Sequence, residues 1–425
     1  MNLVMQIALR PSRSHRRVLA RSAWARRLAF NAALAWHLEE RKAERPAPSE
    51  YQTAAWLRAW RKKTAIEKPD LALVAARVFE YAAEDLERAW KAAHDRGAGR
   101  PRFEKFDSLS GGFGTDGAVR VEAGRVVLPR IGAIRIAHGH RERPDEKPYS
   151  YARVTRRHGE WFASLPIQVE EAPAVEGLPV VGLDMGARKL AVLSDGMRYE
   201  NPRALEQVAR QAQRALLAVQ RRQRAADKKM GVRKKGERRQ ESRRLHLARR
   251  QLGRILGRAA DIRRDAIHQA TTRIARQYSI LGVEDLRVKK MTARRHGRGR
   301  SAKAALNRRI LDAAPATFLR VLDYKVRLRG GHLVQVDPAY TSQTCSLCGN
   351  RHDPGSSETF VCETCDAVID RDENASRIIL ARSRGEKVAP GWWETQNARG
   401  AAVSPSTFGS TAGCVDPRIT RKRVA

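Results

Sequence analysis

Thr344-Cys-Ser-Leu-Cys-Gly349, then Phe360-Val-Cys-Glu-Thr-Cys365, then Asp370-Arg-Asp-Glu-Asn-Ala375: in these three pieces a metal-binding module runs straight into an acidic motif. Each Cys-x-x-Cys presents two thiols to one side of an ion. The pairs Cys345/Cys348 and Cys362/Cys365 together complete a tetrahedron around Zn²⁺ at about 2.3 Å per Zn–S bond. Gly349 suits the tight turn after the first knuckle, and a short hairpin is expected between the two knuckles. Four thiolates leave no open coordination position, so one structural zinc is expected. Seven residues beyond Cys365, Asp372 stands at the start of an expected helix over 371–383.

Working outward, two further acids sit where acids are costly. Asp184 lies within the apolar Val180-Val-Gly-Leu-Asp-Met-Gly186, flanked by Gly182 and Gly186, which permit close backbone approach. Glu284 ends the apolar Tyr278-Ser-Ile-Leu-Gly-Val-Glu284. A carboxylate in an apolar strand must be paired, hydrogen-bonded or bound to metal. Acids at two strand ends and a helix start can converge from distant parts of a chain. Two Mg²⁺ ions about 4 Å apart would then relieve their repulsion and support phosphodiester cleavage. Mn²⁺ serves hard oxygen ligands as well.

Composition points to the substrate. The 425 residues include 83 Lys and Arg against 46 Asp and Glu, a net charge of +37 and a pI near 11.1. Self-repulsion of that size opposes compaction, and a polyanion relieves it. The basic residues recur along most of the chain, so nucleic acid, bound with counterion release, is the expected partner. A hydrophobic content of 42% excludes a merely disordered basic tail. Of five cysteines, four form the two pairs; Cys414 lies alone in a Gly/Ser/Thr/Pro-rich tail. This usage fits metal binding in a reducing compartment, the cytoplasm, better than a disulfide framework. No apolar run reaches transmembrane length, and no membrane partner is expected. The opening Met1–Arg10 alternates before it turns basic, the order of a strand and the reverse of a signal peptide.

Periodicity divides the chain. Residues 1–10 read as a strand and 14–98 as helices broken at Pro46, Pro48 and Pro69. Trp24, Leu28, Trp56, Trp60, Phe79 and Trp90 supply the apolar faces of those helices, with base stacking an open alternative for one or two of the aromatics. Gly97–Gly114 reads as a basic connector. Short strands follow at Val119–Glu122, Arg125–Pro129, Ile131–Ile136, Tyr151–Thr155 and Trp161–Ile167, the pattern of a small barrel or sandwich that strand 1–10 can close. A hairpin over 178–198, long basic helices on either side of a polybasic connection at 225–244, a mobile basic loop at 287–303, one helix over 304–329 and a strand at 332–336 complete the reading. Beyond 383 the chain is expected to be disordered.

Gly182-Leu-Asp-Met-Gly186, Gly282-Val-Glu-Asp-Leu286 and Asp370-Arg-Asp-Glu-Asn-Ala375 resemble the three motifs of a RuvC nuclease domain. With Tyr340-Thr-Ser-Gln-Thr-Cys-Ser-Leu-Cys-Gly349 they are similar to transposon-encoded TnpB proteins and the compact type V CRISPR effectors related to them. The likeness runs from about 1 to 382 and is most specific from 178 onward. It includes Ile262-Arg-Arg-Asp-Ala-Ile-His268 and, near the N-terminus, Arg27-Leu-Ala-Phe-Asn31. Ser376 departs from the pattern, where many relatives carry a second Ala.

The resemblance implies an α+β multidomain protein. Its parts are a β-barrel wedge domain (1–12 and 101–177), a helical recognition domain (13–100) and an RNase H-like RuvC nuclease (178–339 and 367–383). A zinc ribbon that binds target nucleic acid (340–366) is inserted, and a tail (384–425) follows. It implies Asp184, Glu284 and Asp372 as catalytic Mg²⁺ ligands. Asp370 competes for the third place, and the family's Asp-x-Asn-Ala pattern favours Asp372. The implied activity is RNA-guided cleavage of double-stranded DNA in one RuvC site: base pairing with a guide RNA reads the sequence, and the protein reads a short adjacent motif. Segment 287–303 matches one that covers the active site in relatives. A guided binder without cleavage and a guide-independent transposase or resolvase are the alternatives. The length and Thr395-Gln-Asn-Ala-Arg-Gly400 resemble transposon versions more than CRISPR ones.

Overall fold

Strand β1 (Asn2–Arg10) buries Leu3, Met5, Ile7 and Leu9 on one face, the period of two that its sequence displays. The computed structural model describes residues 1–95, 99–105, 110–137, 145–173, 179–231, 242–294, 299–355, 357–386, 388 and 414–415. The chain forms two compact units. One comprises Met1, Gln168–Arg214 and Ile255–Gly413; the other comprises Asn2–Ile167, Ala215–Arg254 and Cys414–Ala425.

In the latter unit β1 joins β2 (Gly111–Glu122), β3 (Arg125–Leu128), β4 (Gly132–Ile136), β5 (Pro148–Arg157) and β6 (Glu160–Gln168). Their order is β1-β4-β3-β2-β5-β6, and β1 also pairs with β6, so the sheet closes into a six-stranded barrel. Closure removes the open edges that a lone sheet would expose. A short strand β14 (Cys414–Val415) lies parallel to β1 at Val4 and Met5. Between β1 and β2 run α1 (Arg13–Lys42), α2 (Glu50–Glu67) and α3 (Arg77–Asp95). Ser12 caps α1, and a Ser49/Gln52 capping box starts α2. Phe30, Leu34, Leu57, Phe79 and Leu86 are buried in one core with the barrel interior.

Three expectations for this unit need correction. Phe79 is buried, but Trp24, Leu28, Trp56, Trp60 and Trp90 are half-buried at the core's margin. There Trp36, Trp56 and Trp60 stack, with ring centroids 5.0 and 6.5 Å apart. Second, β2 begins at Gly111, inside the supposed connector. A Cβ on Gly114 would lie 2.4 Å from the Tyr81 ring, so this glycine lets α3 pack on the strand and is no sign of a flexible joint. Residues 96–98 and 106–109 of that connector lie outside the described residues. Third, α4 (Ala204–Met230) extends past 225, with Gln223 donating to Asp227 one turn on; 232–241 of the polybasic connection lie outside the described residues.

The other unit holds a sheet of order β11-β10-β7-β8-β9. The expected hairpin is β7 (Val180–Asp184) and β8 (Lys189–Leu193), with β9 (Arg198–Glu200) antiparallel beside it. Strand β10 (Ile280–Glu284) runs parallel to both β7 and β11 (His332–Val336). Buried on both sides, β10 reads as an unbroken apolar run. Helix α5 (Arg243–Gln277) packs Ile255, Ala259 and Ile262 on Ala204, Leu205 and Val208 of α4. Buried Asp312 accepts from Leu205 N–H at 3.1 Å and from Arg263 Nε at 3.2 Å.

Segment 287–303 is more ordered than a mobile loop. α6 (Val288–Met291) forms a helical turn, and α7 (Arg300–Ala313) starts before its end. Lys303 Nζ donates to Met291 O at 2.7 Å and Asn307 Nδ2 to Thr292 O at 2.8 Å, pinning the turn to α7. Residues 295–298 lie outside the described residues. The single helix expected over 304–329 is two. Ala314 adopts φ 52° and Pro315 opens α8 (Pro315–Arg327), where its missing N–H costs nothing. Helix α9 (Arg371–Ser383) falls where its motif placed it. Of the tail, 389–413 and 416–425, including Thr395–Gly400, lie outside the described residues. Among the described residues, no helix is long and apolar enough to cross a membrane.

Candidate active site

The four cysteine sulfurs lie within 4.8 Å of one another, with Cys345–Cys365 at 3.7 Å and Cys348–Cys362 at 3.6 Å. Thiolates bonded tetrahedrally at 2.3 Å to one ion stand about 3.8 Å apart, so the set fits one zinc. Each knuckle closes its own antiparallel pairing: the Thr344/Arg351 bridge for the first, and β12 (Thr359–Val361) with β13 (Val368–Asp370) for the second. The hairpin thus brackets the second pair and does not separate the two. Burial pushes the Cys345 thiol up to about 12. At Cys362 burial acts the same way, but the N–H groups of Thr364 and Cys365 outweigh it and bring the thiol down to about 6.

The metal module and α9 are one piece. Buried Asn374 donates from Nδ2 to Thr344 O at 2.7 Å and accepts at Oδ1 from Ser346 N–H at 2.8 Å. Strand β13 then delivers the chain to Asp370, which caps α9 by accepting from the N–H groups of Asp372 and Glu373, each at 3.1 Å.

The register of the sheet places the other acids. Gly282 pairs with Gly182, and Asp184 and Glu284 each lie two residues on, at the same end of adjacent parallel strands. The two glycines form the seat for α9. A Cβ on Gly182 would stand 2.0 Å from Ser376 O, and one on Gly282 would stand 2.7 Å from Ser383 Cβ. With α9 laid directly on strand backbone, Asp372 joins Asp184 and Glu284 in lining one cleft of about 1280 Å³.

The electrostatics of this cleft make its carboxylates costly to ionise. Burial raises the Asp184 carboxyl well above its ordinary value, and the charges of Glu284 and Asp372 raise it further, against weaker help from the Met185 N–H and Arg371. Burial also raises Glu284, opposed by Thr341, whose Oγ1 donates to Glu284 Oε1 at 2.5 Å, and by Arg382. Crowded hard oxygens that are costly to ionise alone fit divalent cations.

Asp370 is spent otherwise. Besides the two N–H groups, it receives Lys189 Nζ at 2.9 Å and lies 3.4 Å from Arg198. Burial raises its carboxyl, but the bonds from Lys189 and the Glu373 N–H, with the charges of Lys189 and Arg198, bring it below the usual range. It does not line the cleft. Lys189 also lies 3.3 Å from Asp372. Reasoning from sequence missed Lys189, Arg198, Thr341 and Asn374. A lysine opening the apolar β8 and the threonine beside Tyr340 were the available signals.

A family model described as "Probable transposase" matches residues 164–295, spanning Asp184 and Glu284, and one described as "Cas12f1-like, TNB domain" matches 316–379, spanning the cysteines and Asp372. The Escherichia coli (strain K12) protein named "Putative RNA-guided DNA endonuclease InsQ" is 31% identical over 384 residues, 88% of this chain and 90% of the relative. The chain belongs to the TnpB family. A Streptomyces pristinaespiralis relative with the name "Putative RNA-guided DNA endonuclease" is 29% identical over 373 residues, 85% of each chain. Among solved structures, the Cas12f1-sgRNA-target DNA complex contains a chain 14% identical to this TnpB-family chain. It covers 86% of this chain and 81% of that one at a TM-score of 0.45, a likeness too loose for any residue to be carried across.

Proposed function

We propose that this chain is an RNA-guided DNA endonuclease that binds a guide RNA, recognises a short motif beside its target and cuts double-stranded DNA in a single RuvC-type site. The observation that supports this best is the meeting of Asp184, Glu284 and Asp372, from segments a hundred residues or so apart, in one cleft of a strongly basic chain. Family membership supports the guided activity. In this reading the three acids hold two Mg²⁺ ions, Mn²⁺ being able to substitute, and the four cysteines hold one structural Zn²⁺. Bound there, the Mg²⁺ pair supplies an activated water and stabilises the leaving oxygen of a phosphodiester.

The remaining work falls to the chain's own residues. Asp184 is fixed by its strand and presents a carboxylate that only a cation makes inexpensive to ionise. Thr341 orients Glu284 through the bond to Oε1. Lys189 and Arg198 hold Asp370 as the cap of α9, which aims Asp372, two residues on, into the cleft. Asn374 ties that helix start to the zinc module, so the zinc acts on the site by positioning it. We assign the nuclease to 178–339 with 367–383, the ribbon to 340–366, and guide and motif binding to the barrel and helical segments before 177. The place of action is the cytoplasm, where the thiols stay reduced.

Sequencing the RNA that copurifies when the protein is expressed with its native flanking DNA tests the guided part. A discrete RNA with a structured portion and a variable end is expected. Degraded bulk RNA, or none, would move the weight to a guide-independent nuclease.

A further inference from the structure

The barrel-containing unit has a cavity of about 430 Å³ that none of the three acids lines. Its size falls within the roughly 300–1,000 Å³ of small-ligand sites. Its walls come from α1, from the segment at Glu104 and Lys105, from the start of β2 and from the β5–β6 hairpin. Trp24 contributes a half-buried indole. Arg156 contributes a guanidinium that lies over the buried Trp161 ring, 5.5 Å from its centroid. Arg27 and Lys105 add two more cations.

The wall is built deliberately. Asn31 accepts from the Glu104 N–H at 2.7 Å and donates to Glu104 O at 3.0 Å, fastening 104–105 to α1 as a strand partner would. Arg26 is committed to Asp85 and Glu104, so its charge is balanced inside the wall. Gly111 and Gly112 present backbone where other residues would present side chains. Flat aromatic and guanidinium surfaces beside cations match two parts of a nucleotide, the base face and the phosphate.

We propose that this cavity takes a single unstacked nucleotide of a bound nucleic-acid strand, with the base against Trp24 and the Arg156 guanidinium and the phosphate at Arg27 and Lys105. The proposal rests on the nucleic-acid reading above and adds a specific anchoring site to it. Neither aromatic contact selects a base by itself, so the site fixes strand position and leaves sequence to be read elsewhere.

Photocrosslinking of the full chain tests it, with 4-thiouridine placed along the copurified RNA in one arm and 5-iododeoxyuridine along the target DNA in the other. One arm is expected to yield crosslinked peptides containing Trp24 or Trp161, which also identifies the strand. Trp24→Ala is expected to weaken binding of that strand roughly tenfold, as loss of one base–aromatic stack does, with Trp24→Phe retaining most of it. Because Trp24 also borders the core, Lys105→Glu at an exposed position is the second variant, expected to weaken the same strand about as much by placing like charge on a phosphate. Normal affinity in both Trp24→Ala and Lys105→Glu, with crosslinks confined to other peptides, overturns the pocket and leaves the guided-nuclease reading standing. Failure to bind either strand overturns both.

Discussion

Replacing Gly182 by Ala tests whether the seat of α9 on β7 is what positions the acids. The added Cβ would stand 2.0 Å from Ser376 O and 2.6 Å from Leu380 N, about 1.4 Å inside the 3.4 Å at which ordinary van der Waals contact begins. Both obstacles are helix backbone, so no side-chain rotation relieves the clash, and α9 must lift or tilt by something near that distance. Overpacking of this kind costs about 1–3 kcal/mol, which for a unit of this size lowers the melting temperature by roughly 5 °C. The lift also carries Asp372 away from Asp184, and a misplacement of about 1 Å costs on the order of a hundredfold in rate. Differential scanning fluorimetry reads the first effect, and single-turnover cleavage with saturating guide reads the second. Gly99→Ala, with nothing within 4 Å of the new methyl, is the control and should change neither. A Gly182→Ala protein that melts and cuts as the parent does would refute this account of how α9 is seated.

Asp184→Ala is expected to abolish cleavage while guided binding, read by gel shift, persists; cutting at the parent rate would mean that other residues hold the metal. Cys362→Ser should take the zinc content, by plasma mass spectrometry, from one ion per chain to near zero and lower the melting temperature; a full zinc complement would remove the four-cysteine site. Buried His37 bonds Thr53 Oγ1 at 2.8 Å, and burial lowers its pKa from 6.5, against the opposing charges of Glu87 and Glu40. The unfolded chain takes up that proton first, so the contribution of His37 to stability is fully present above pH 6.5 and is lost as pH falls through the lowered folded value. The parent should therefore lose more melting temperature between pH 7 and pH 5 than His37→Gln does, and parallel slopes would contradict this.

What the sequence revealed and what it hid follow from the range of the physics involved. Asp184 and Glu284 stood out because a carboxylate at the end of an apolar run is costly wherever the chain goes. The cysteines stood out because ligand spacing along the chain is ligand spacing at the metal. The start of α9 was legible from its acidic motif, while the role of Asp370 as its cap emerged only with the fold. Gly182 was legible as a point of close backbone approach, but the sequence did not show which backbone it admits, and Gly282 gave no signal at all, because the α9 atoms they face lie about a hundred residues or more downstream. Lys189 and Arg198 were likewise lost among 83 basic residues until the fold brought them to Asp370. The break at Ala314 was masked by helix-favouring neighbours, although Pro315 was there to be read. The connector before Gly114 was misjudged because composition alone cannot tell a glycine that bends from one that makes room.

Changing the variable end of the copurified RNA to match a new plasmid sequence, with the adjacent motif kept, tests the central claim most directly. The account predicts that in Mg²⁺ both strands of the new plasmid are cut beside that motif, the original target is spared, and RNase treatment followed by repurification abolishes both activities. Cutting that stays at the original site, or that survives loss of the RNA, would contradict it.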